Sequence, residues 1–250
     1  MSLYDLLPVP NLLDAKKVLC IQPHPDDMDI SCGGTLAKLA TEGAHITYVT
    51  VTDGGAGTEV RKDEGELIAV RRGEQWAAGA YIGVSDYVWL DYKDADAIPR
   101  EQLQHDLIRI IREQRPDTIV TVDPWLMYEA HPAHRDTGLA AAAAVLFCGM
   151  ANIHPEHLEQ GLQPFRPERV VFSFSAQPNT FVDITSTWER KLKAIRSHQS
   201  QFPDSTWSFY GKYLDLKSEE YGKQAGCARA EGLKVLAPTH LHCNVDAFNM

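Results

Sequence analysis

The sequence predicts an α/β fold: a mostly parallel sheet with helices on both faces. Three observations predict it. Strand-like apolar runs alternate with helix-like amphipathic runs through the first half of the chain. Clusters of polar residues fall just after the strand-like runs, where open α/β sheets place their ligands. No repeat, low-complexity tract or long linker interrupts the 250 residues, a length that suits one large α/β domain.

The elements follow in order. "KVLCIQP" (17–23) is a buried strand, and "GGTLAKLATEGA" (33–44) is a helix ended by Gly43. "HITYVTVT" (45–52) is rich in β-branched residues and forms the second strand. "GELIAVRRGEQWAAGAYIGV" (65–84) has helical apolar spacing, and "DYVWL" (86–90) is a short strand. "REQLQHDLIRIIREQR" (100–115) is strongly amphipathic and stops before Pro116. "DTIVTV" (117–122) is the fourth strand, and 136–150 is a helix with Asp136 as N-cap. This βαβα order implies a Rossmann-like parallel sheet covered on both faces. The second half is less regular. Residues 168–175 and 180–186 have strand character and 187–202 helical character, and from Ser218 a helix leads into a histidine-rich loop.

Apolar residues make up 44% and charged residues 23%, the balance of a soluble globular chain. A net charge of −10 argues against nucleic acid or an anionic membrane as partner, since both need a basic footprint. Cys20, Cys32, Cys148, Cys227 and Cys243 are scattered and form no CxxC. That pattern speaks for buried free thiols and against a disulfide framework or zinc ribbon. The first residues lack a basic stretch followed by an apolar one, and no apolar run approaches the ~20 residues of a membrane span. The expected location is the cytoplasm.

The polar clusters are "HPDDMD" after the first strand, "DGGAGTE" after the second, "DYKDAD" after the third and "DPWLMYEAHPAHR" after the fourth. "HPDD" offers His24, Asp26 and Asp27. "HPAH" offers His131 and His134, whose spacing brings both side chains to one side of a helical turn. Two imidazoles with carboxylates suit zinc, and a hydrolytic zinc site takes three protein ligands and leaves one position open. A remaining carboxylate would take the proton from water. An HxxH alone is weak evidence: "HPEH" at 154–157 has the same form and is expected to be a loop. Paired aspartates are also common in turns and caps. A nucleotide-binding module is disfavoured, because two acidic residues stand where a pyrophosphate would lie and GxGxxG is absent. No GxSxG elbow of a serine hydrolase is present.

"HPDDMDISCGGTLAKL", "AVRRGEQWAAGAYIGV", "EAHPAHRDTG", "KLKAIRSHQSQF" and "ARAEG" together resemble the PIG-L/LmbE-like zinc-dependent N-acetylglucosaminyl deacetylases. "IQPHPDDMDI", "DPWLMYEAHP" and "HLHC" bring the chain nearest to the diacetylchitobiose deacetylases within that family. The resemblance implies one deacetylase domain over residues 1–250 and one zinc ion per subunit, held by His24, Asp27 and His134. It implies Asp26 as general base, His131 as electrostatic stabiliser or acid, and Arg71 as a sugar-binding residue. The family's usual glutamate after "HPDD" is Met28 here, with Asp29 following, and its usual aspartate inside "HPDH" is Ala133. Which neighbouring groups orient the ligands is thereby left open.

The implied reaction is hydrolysis of the acetamide of an N-acetylglucosamine-containing sugar, such as diacetylchitobiose or N-acetylglucosamine. Open alternatives are a thiol-glucosamine conjugate, a glycolipid headgroup, or a sugar-binding relative without catalysis. Iron competes with zinc as the native metal, and either Asp26 or His131 would protonate the departing amine. Trp125 and Tyr128 offer aromatic faces to a sugar, and Asp53 an acceptor for a hydroxyl, with ordinary packing as the competing role. Gly54, Gly55 and Gly57 would allow close backbone approach or form a tight turn. His240 and His242 lie in a tail that the resemblance casts as a lid reaching a neighbouring subunit; core histidines are the alternative. His198 is expected to be structural or at an interface. A homo-oligomer is implied, with a hexamer as the candidate assembly.

Overall fold

The computed structural model describes residues 3–250. Its strands are β1 Lys17–Gln22, β2 His45–Thr52, β3 Asp86–Tyr92, β4 Thr118–Val122, β5 Arg169–Ser173, β6 Thr180–Asp183 and β7 Ala230–Leu236. They form one sheet in the order β3-β2-β1-β4-β5-β7-β6. The first five pair in parallel, and β7 runs antiparallel to both β5 and β6. The helices are α1 Leu3–Leu6, α2 Asp27–Thr41, α3 Glu64–Ile82, α4 Arg100–Gln114, α5 Pro132–Phe147, α6 Glu156–Glu159, α7 Trp188–Ser197 and α8 Asp204–Ala225. Among the described residues no helix is long and apolar enough to cross a membrane.

Successive residues of the parallel strands point to opposite faces, and both faces are buried. Cys20, Ile46 and Val120 face α2, α3 and α7, which contribute Leu36, Ile82 and Ile195. Leu19, Ile21 and Ile119 face α4 and α5, which contribute Leu107, Ile111 and Val145. Helices on both faces of a mostly parallel sheet are therefore found, as expected. Chain order reverses between the adjacent strands β1 and β4, which opens a crevice beyond their carboxyl ends. "HPDD" leaves β1 into it, and "HPAH" enters it ahead of α5.

Several boundaries move. α2 begins at Asp27, well before the expected start at residue 33, so part of "HPDD" belongs to its first turn. α5 begins at Pro132 with His131 at the N-cap. Asp136 therefore caps nothing and instead accepts from Arg100 Nη2 at 2.8 Å. α5 can press against the end of β4 because residue 138 is glycine: a Cβ there would meet Val122 O at 2.7 Å and Pro124 Cβ at 2.9 Å. α8 starts at Asp204, and β7 was not expected at all.

β7 carries a buried ion pair that anchors α2. Cys32 breaks the helical path of α2 (φ −145, ψ 18). Beyond the break, the N–H groups of Gly34 and Thr35 donate to the two carboxylate oxygens of Glu231 at 3.0 and 2.7 Å. Lys191 Nζ of α7 donates to the same carboxylate at 2.5 Å. Both side chains are about 95% buried, at 5% and 4% exposure. Glu231→Leu should strand the lysine charge and both amides and lower stability by about 3–5 kcal/mol, measured by denaturant unfolding. A loss below about 1 kcal/mol would mean that α2 is held by packing alone.

Candidate active site

β1 ends on Gln22, and the chain turns through Pro23–Asp26 into α2. Asp26 sits at φ 123, ψ −28, a region that L-residues adopt at a cost of roughly 1–3 kcal/mol. Buried hydrogen bonds hold it there. Asp26 N donates to Gln75 Oε1 at 3.0 Å, and Gln22 Nε2 donates to the same oxygen at 2.8 Å. Gln75 Nε2 donates to Asp29 Oδ2 at 2.8 Å. Asp29 also accepts from the Tyr48 hydroxyl at 2.9 Å and faces His198 Nε2 at 2.9 Å. From α3, Arg71 donates to Gly54 O and Pro25 O at 2.9 Å each and lies 3.3 Å from Asp26 Oδ2. Residue 57 is a glycine for a visible reason: a Cβ there would come within 2.6 Å of Arg71 Nη1.

Around this turn the two histidine-bearing clusters meet. His24, Asp27 and His134 offer ligand atoms within 4.8 Å of one another, and His24, Asp94 and His131 form a second such group. His24 Nδ1 lies 3.3 Å from Asp27 Oδ2, and His134 Nε2 lies 3.3 Å from Asp27 Oδ1. These separations, one to each oxygen of the Asp27 carboxylate, are close to the edge of roughly 3.3–3.4 Å of a tetrahedron with bonds of roughly 2.0–2.1 Å. His24 Nε2 is buried without a hydrogen bond, although Asp94 Oδ1 stands 3.2 Å away. An orphaned nitrogen beside carboxylates and a further imidazole is a donor set that fits a divalent ion. Glu129 Oε2 lies 3.6 Å from His134 Nδ1, the ring nitrogen that faces away from Asp27. The cleft has a volume of about 240 Å³ and is lined by these groups with Asp26, Arg71, Gly57 and Gln201.

The adjacent aspartates differ in proton affinity. Burial pushes the Asp26 carboxyl up to about 6, with Arg71 pulling the other way. Burial also works against Asp27, but His134 and the hydrogen bonds from His24 bring it down to about 2. In the metal-free cluster burial opposes charge on His24, yet the adjacent carboxylates of Asp27 and Asp94 raise it to about 10. Burial, with His24 and His134 nearby, lowers His131.

The other expected site residues lie elsewhere. Asp53 is buried and committed to the loops: its Oδ1 accepts from Gly55 N and Asp94 N, and Lys93 Nζ sits 3.1 Å from Oδ2. Trp125 packs edge-on against Phe172 at 5.4 Å and lines a separate cavity with Lys234 and His240. Tyr128 is 95% exposed on the loop before α5. His240 is buried and accepts from Ala237 N at 2.9 Å, whereas His242 contacts Cys243 Sγ at 3.4 Å. None of these lines the cleft. His198 is structural, wholly buried against Asp29. "HPEH" forms the start of α6. His105, Glu156 and His157 converge there, but Arg112 Nη1 donates to His157 Nδ1 at 3.1 Å, which directs the N–H of that ring toward His105 Nε2 at 3.3 Å. Hydrogen bonding accounts for this group without an ion. Sequence reasoning missed Asp94, Glu129, Gln22 and Gln75. Asp94 and Glu129 lay inside the polar clusters that end β3 and precede "HPAH", but the two glutamines gave no signal.

The chain as a whole is similar to known proteins. The profile of the family described as PIG-L, GlcNAc-PI de-N-acetylase, matches residues 19–145. Diacetylchitobiose deacetylase of Thermococcus kodakarensis is 40% identical over 230 residues, covering 92% of this chain and 86% of that protein. A 1D-myo-inositol 2-acetamido-2-deoxy-alpha-D-glucopyranoside deacetylase of Saccharomonospora viridis is 31% identical over 229 residues, covering 74% and 84%. The solved structure of N,N'-diacetylchitobiose deacetylase from Pyrococcus horikoshii superposes with a TM-score of 0.89 at 40% identity, covering 93% of this chain and 88% of that one.

The glutamine bracket around Asp26 is open to measurement. Gln75→Leu leaves the Asp26 amide and the Asp29 carboxylate each short of a partner, so unfolding free energy should fall by about 3 kcal/mol. A fall under about 1 kcal/mol in chemical denaturation would show that Arg71 and Gln22 hold the turn without it.

Proposed function

The chain belongs to the PIG-L family of GlcNAc-PI de-N-acetylases, and on that premise we propose that it hydrolyses the acetamide of an N-acetylglucosamine-containing sugar. Diacetylchitobiose is the first candidate, and the products are acetate and a free amine. A homo-oligomer in the cytoplasm is part of the same reading. The observation that carries it is the meeting of "HPDD" and "HPAH" in one cleft, with His24, Asp27 and His134 within ligand distance of one another.

These three residues would hold zinc, a role supported by the 3.3 Å separations of their donor atoms. When bound, zinc polarises the acetyl carbonyl and lowers the pKa of water toward ~7. Asp26 takes the proton of the attacking water. Its raised affinity, to about 6, lets it hold that proton near neutral pH and return it. Arg71 keeps its carboxylate aimed into the cleft. His131 is pushed below its ordinary value, so at neutral pH it acts as an uncharged hydrogen-bonding partner of the tetrahedral oxyanion. When the C–N bond breaks, the amine receives its proton from Asp26, the group of the two that carries one.

Purified protein should release acetate from diacetylchitobiose in preference to thiol-glucosamine or glycolipid substrates. Asp26→Asn should keep its bound metal and lose about 10²–10⁴-fold in kcat, whereas His134→Ala should lose both metal and turnover. Near-normal turnover in Asp26→Asn would remove Asp26 as the base.

Metal uptake should depend on pH. His24 carries a proton in the metal-free cluster up to about pH 10, and an ion must displace it. Zinc titration of the metal-free protein at pH 7 should therefore release about one proton per ion, read by calorimetry in buffers of different ionisation enthalpy. Zero release would contradict the His24 assignment.

A further inference from the structure

A second cavity, of about 290 Å³, opens next to the metal cleft and has no part in the chemistry above. Ile30 and Ser31, one turn beyond Asp27 on α2, reach its rim. Phe174, also on its wall, has its ring 6.4 Å from that of His134. α8 supplies the opposite wall with Tyr210, Tyr213, Lys217 and Tyr221, spaced to share one helix face. The Lys191–Glu231 pair lies at the base.

Size, shape and charge narrow the occupant. Small-molecule pockets start at roughly 300 Å³, so this one has room for a single sugar ring. The Tyr210 and Tyr213 rings are 6.0 Å apart and tilted by 36°. Aromatic faces carry negative potential, which complements the weakly positive C–H face of a pyranose, while phenolic hydroxyls can meet its rim of hydroxyls. Net charge is low. Lys191 and Glu231 neutralise each other, and Lys217 is already engaged, 2.9 Å from Glu220 and 4.4 Å above the Tyr221 ring. A phosphate would find no free cationic clamp there.

We infer that this cavity is the subsite for a second, neutral pyranose, joined to the ring whose acetamide enters the metal cleft. The inference rests on the deacetylase reading given above. It makes a disaccharide the matched substrate. A free monosaccharide would leave the cavity empty.

Tyr213 is half exposed, so its side chain can be cut back without opening the core. The quantity to measure is the ratio of kcat/KM for diacetylchitobiose to that for N-acetylglucosamine. Tyr213→Ala should reduce this ratio about fivefold to tenfold, and Tyr213→Phe, which keeps the ring face, should largely preserve it. A ratio unmoved by Tyr213→Ala, with acetate still released, overturns the subsite and leaves the deacetylase reading intact. Acetate release from neither sugar by the native enzyme overturns that reading instead. Binding supplies the independent check: calorimetry on Asp26→Asn should show diacetylchitobiose binding about fivefold more tightly than N-acetylglucosamine. Equal affinities overturn the inference whether or not acetate is released.

Discussion

The backbone turn at Asp26 is the constraint from which the rest of the site follows. Because Asp26 sits at φ 123 and the next residue opens α2, neighbouring carboxylates face different partners. Asp26 turns to Arg71, and Asp27 turns to His24 and His134. A conformation costing roughly 1–3 kcal/mol persists only where its surroundings over-determine it. Here they do: Gln75 binds the Asp26 amide, Arg71 binds the Pro25 carbonyl, and Gln22 accepts from the Met28 amide at 3.1 Å. These anchors come from β1 and α3, so the turn is only as firm as the packing of α3 on the sheet.

The same turn separates two otherwise equal acids. Both aspartates are deeply buried, and burial raises each. Asp27 gains two histidine partners that more than offset it, whereas Asp26 has Arg71 and a negatively charged neighbour. One carboxyl near 6 can exchange a proton at neutral pH, and one near 2 stays ionised. A division of labour between two carboxyls is thus set by their environments and needs no difference in residue type. Asp94 adds a third carboxyl, held at about 2 against burial by the adjacent His24. The cluster thereby keeps enough negative charge to favour a divalent ion.

The legible parts of the sequence were those governed by local periodicity. β2 runs from His45 to Thr52, as its β-branched pattern indicated, and α4 follows its amphipathic stripe to Gln114. β7 was hidden because "AEGLKVL" contains Glu231 and Lys234, charged residues that read as solvent-facing. Glu231 is buried only because Lys191 arrives from α7, a tertiary fact with no local signature. α8 was obscured by aromatic residues and glycine interleaved with charges, a pattern that makes sense once one of its faces lines a cavity. In the site, His24, Asp26, Asp27, His131 and His134 were visible as motifs, and all five line one cleft. Gln22 and Gln75 were not, since a buried glutamine declares its role only through its partners.

The two departures from the family pattern can now be followed physically. Met28 lies wholly within the apolar layer under α2, where a carboxylate would be buried without a partner. The neighbouring Asp29 carries the charge instead and meets Tyr48, Gln75 and His198. Ala133 is likewise packed into the opposite apolar layer. The carboxylate facing His134 Nδ1 comes from Glu129, on the loop before α5. In this chain Asp29 and Glu129 are the carboxylates that the fold places at these two points and supplies with donors. A ligand histidine needs an acceptor at its outer nitrogen, and any segment that passes within reach can provide one.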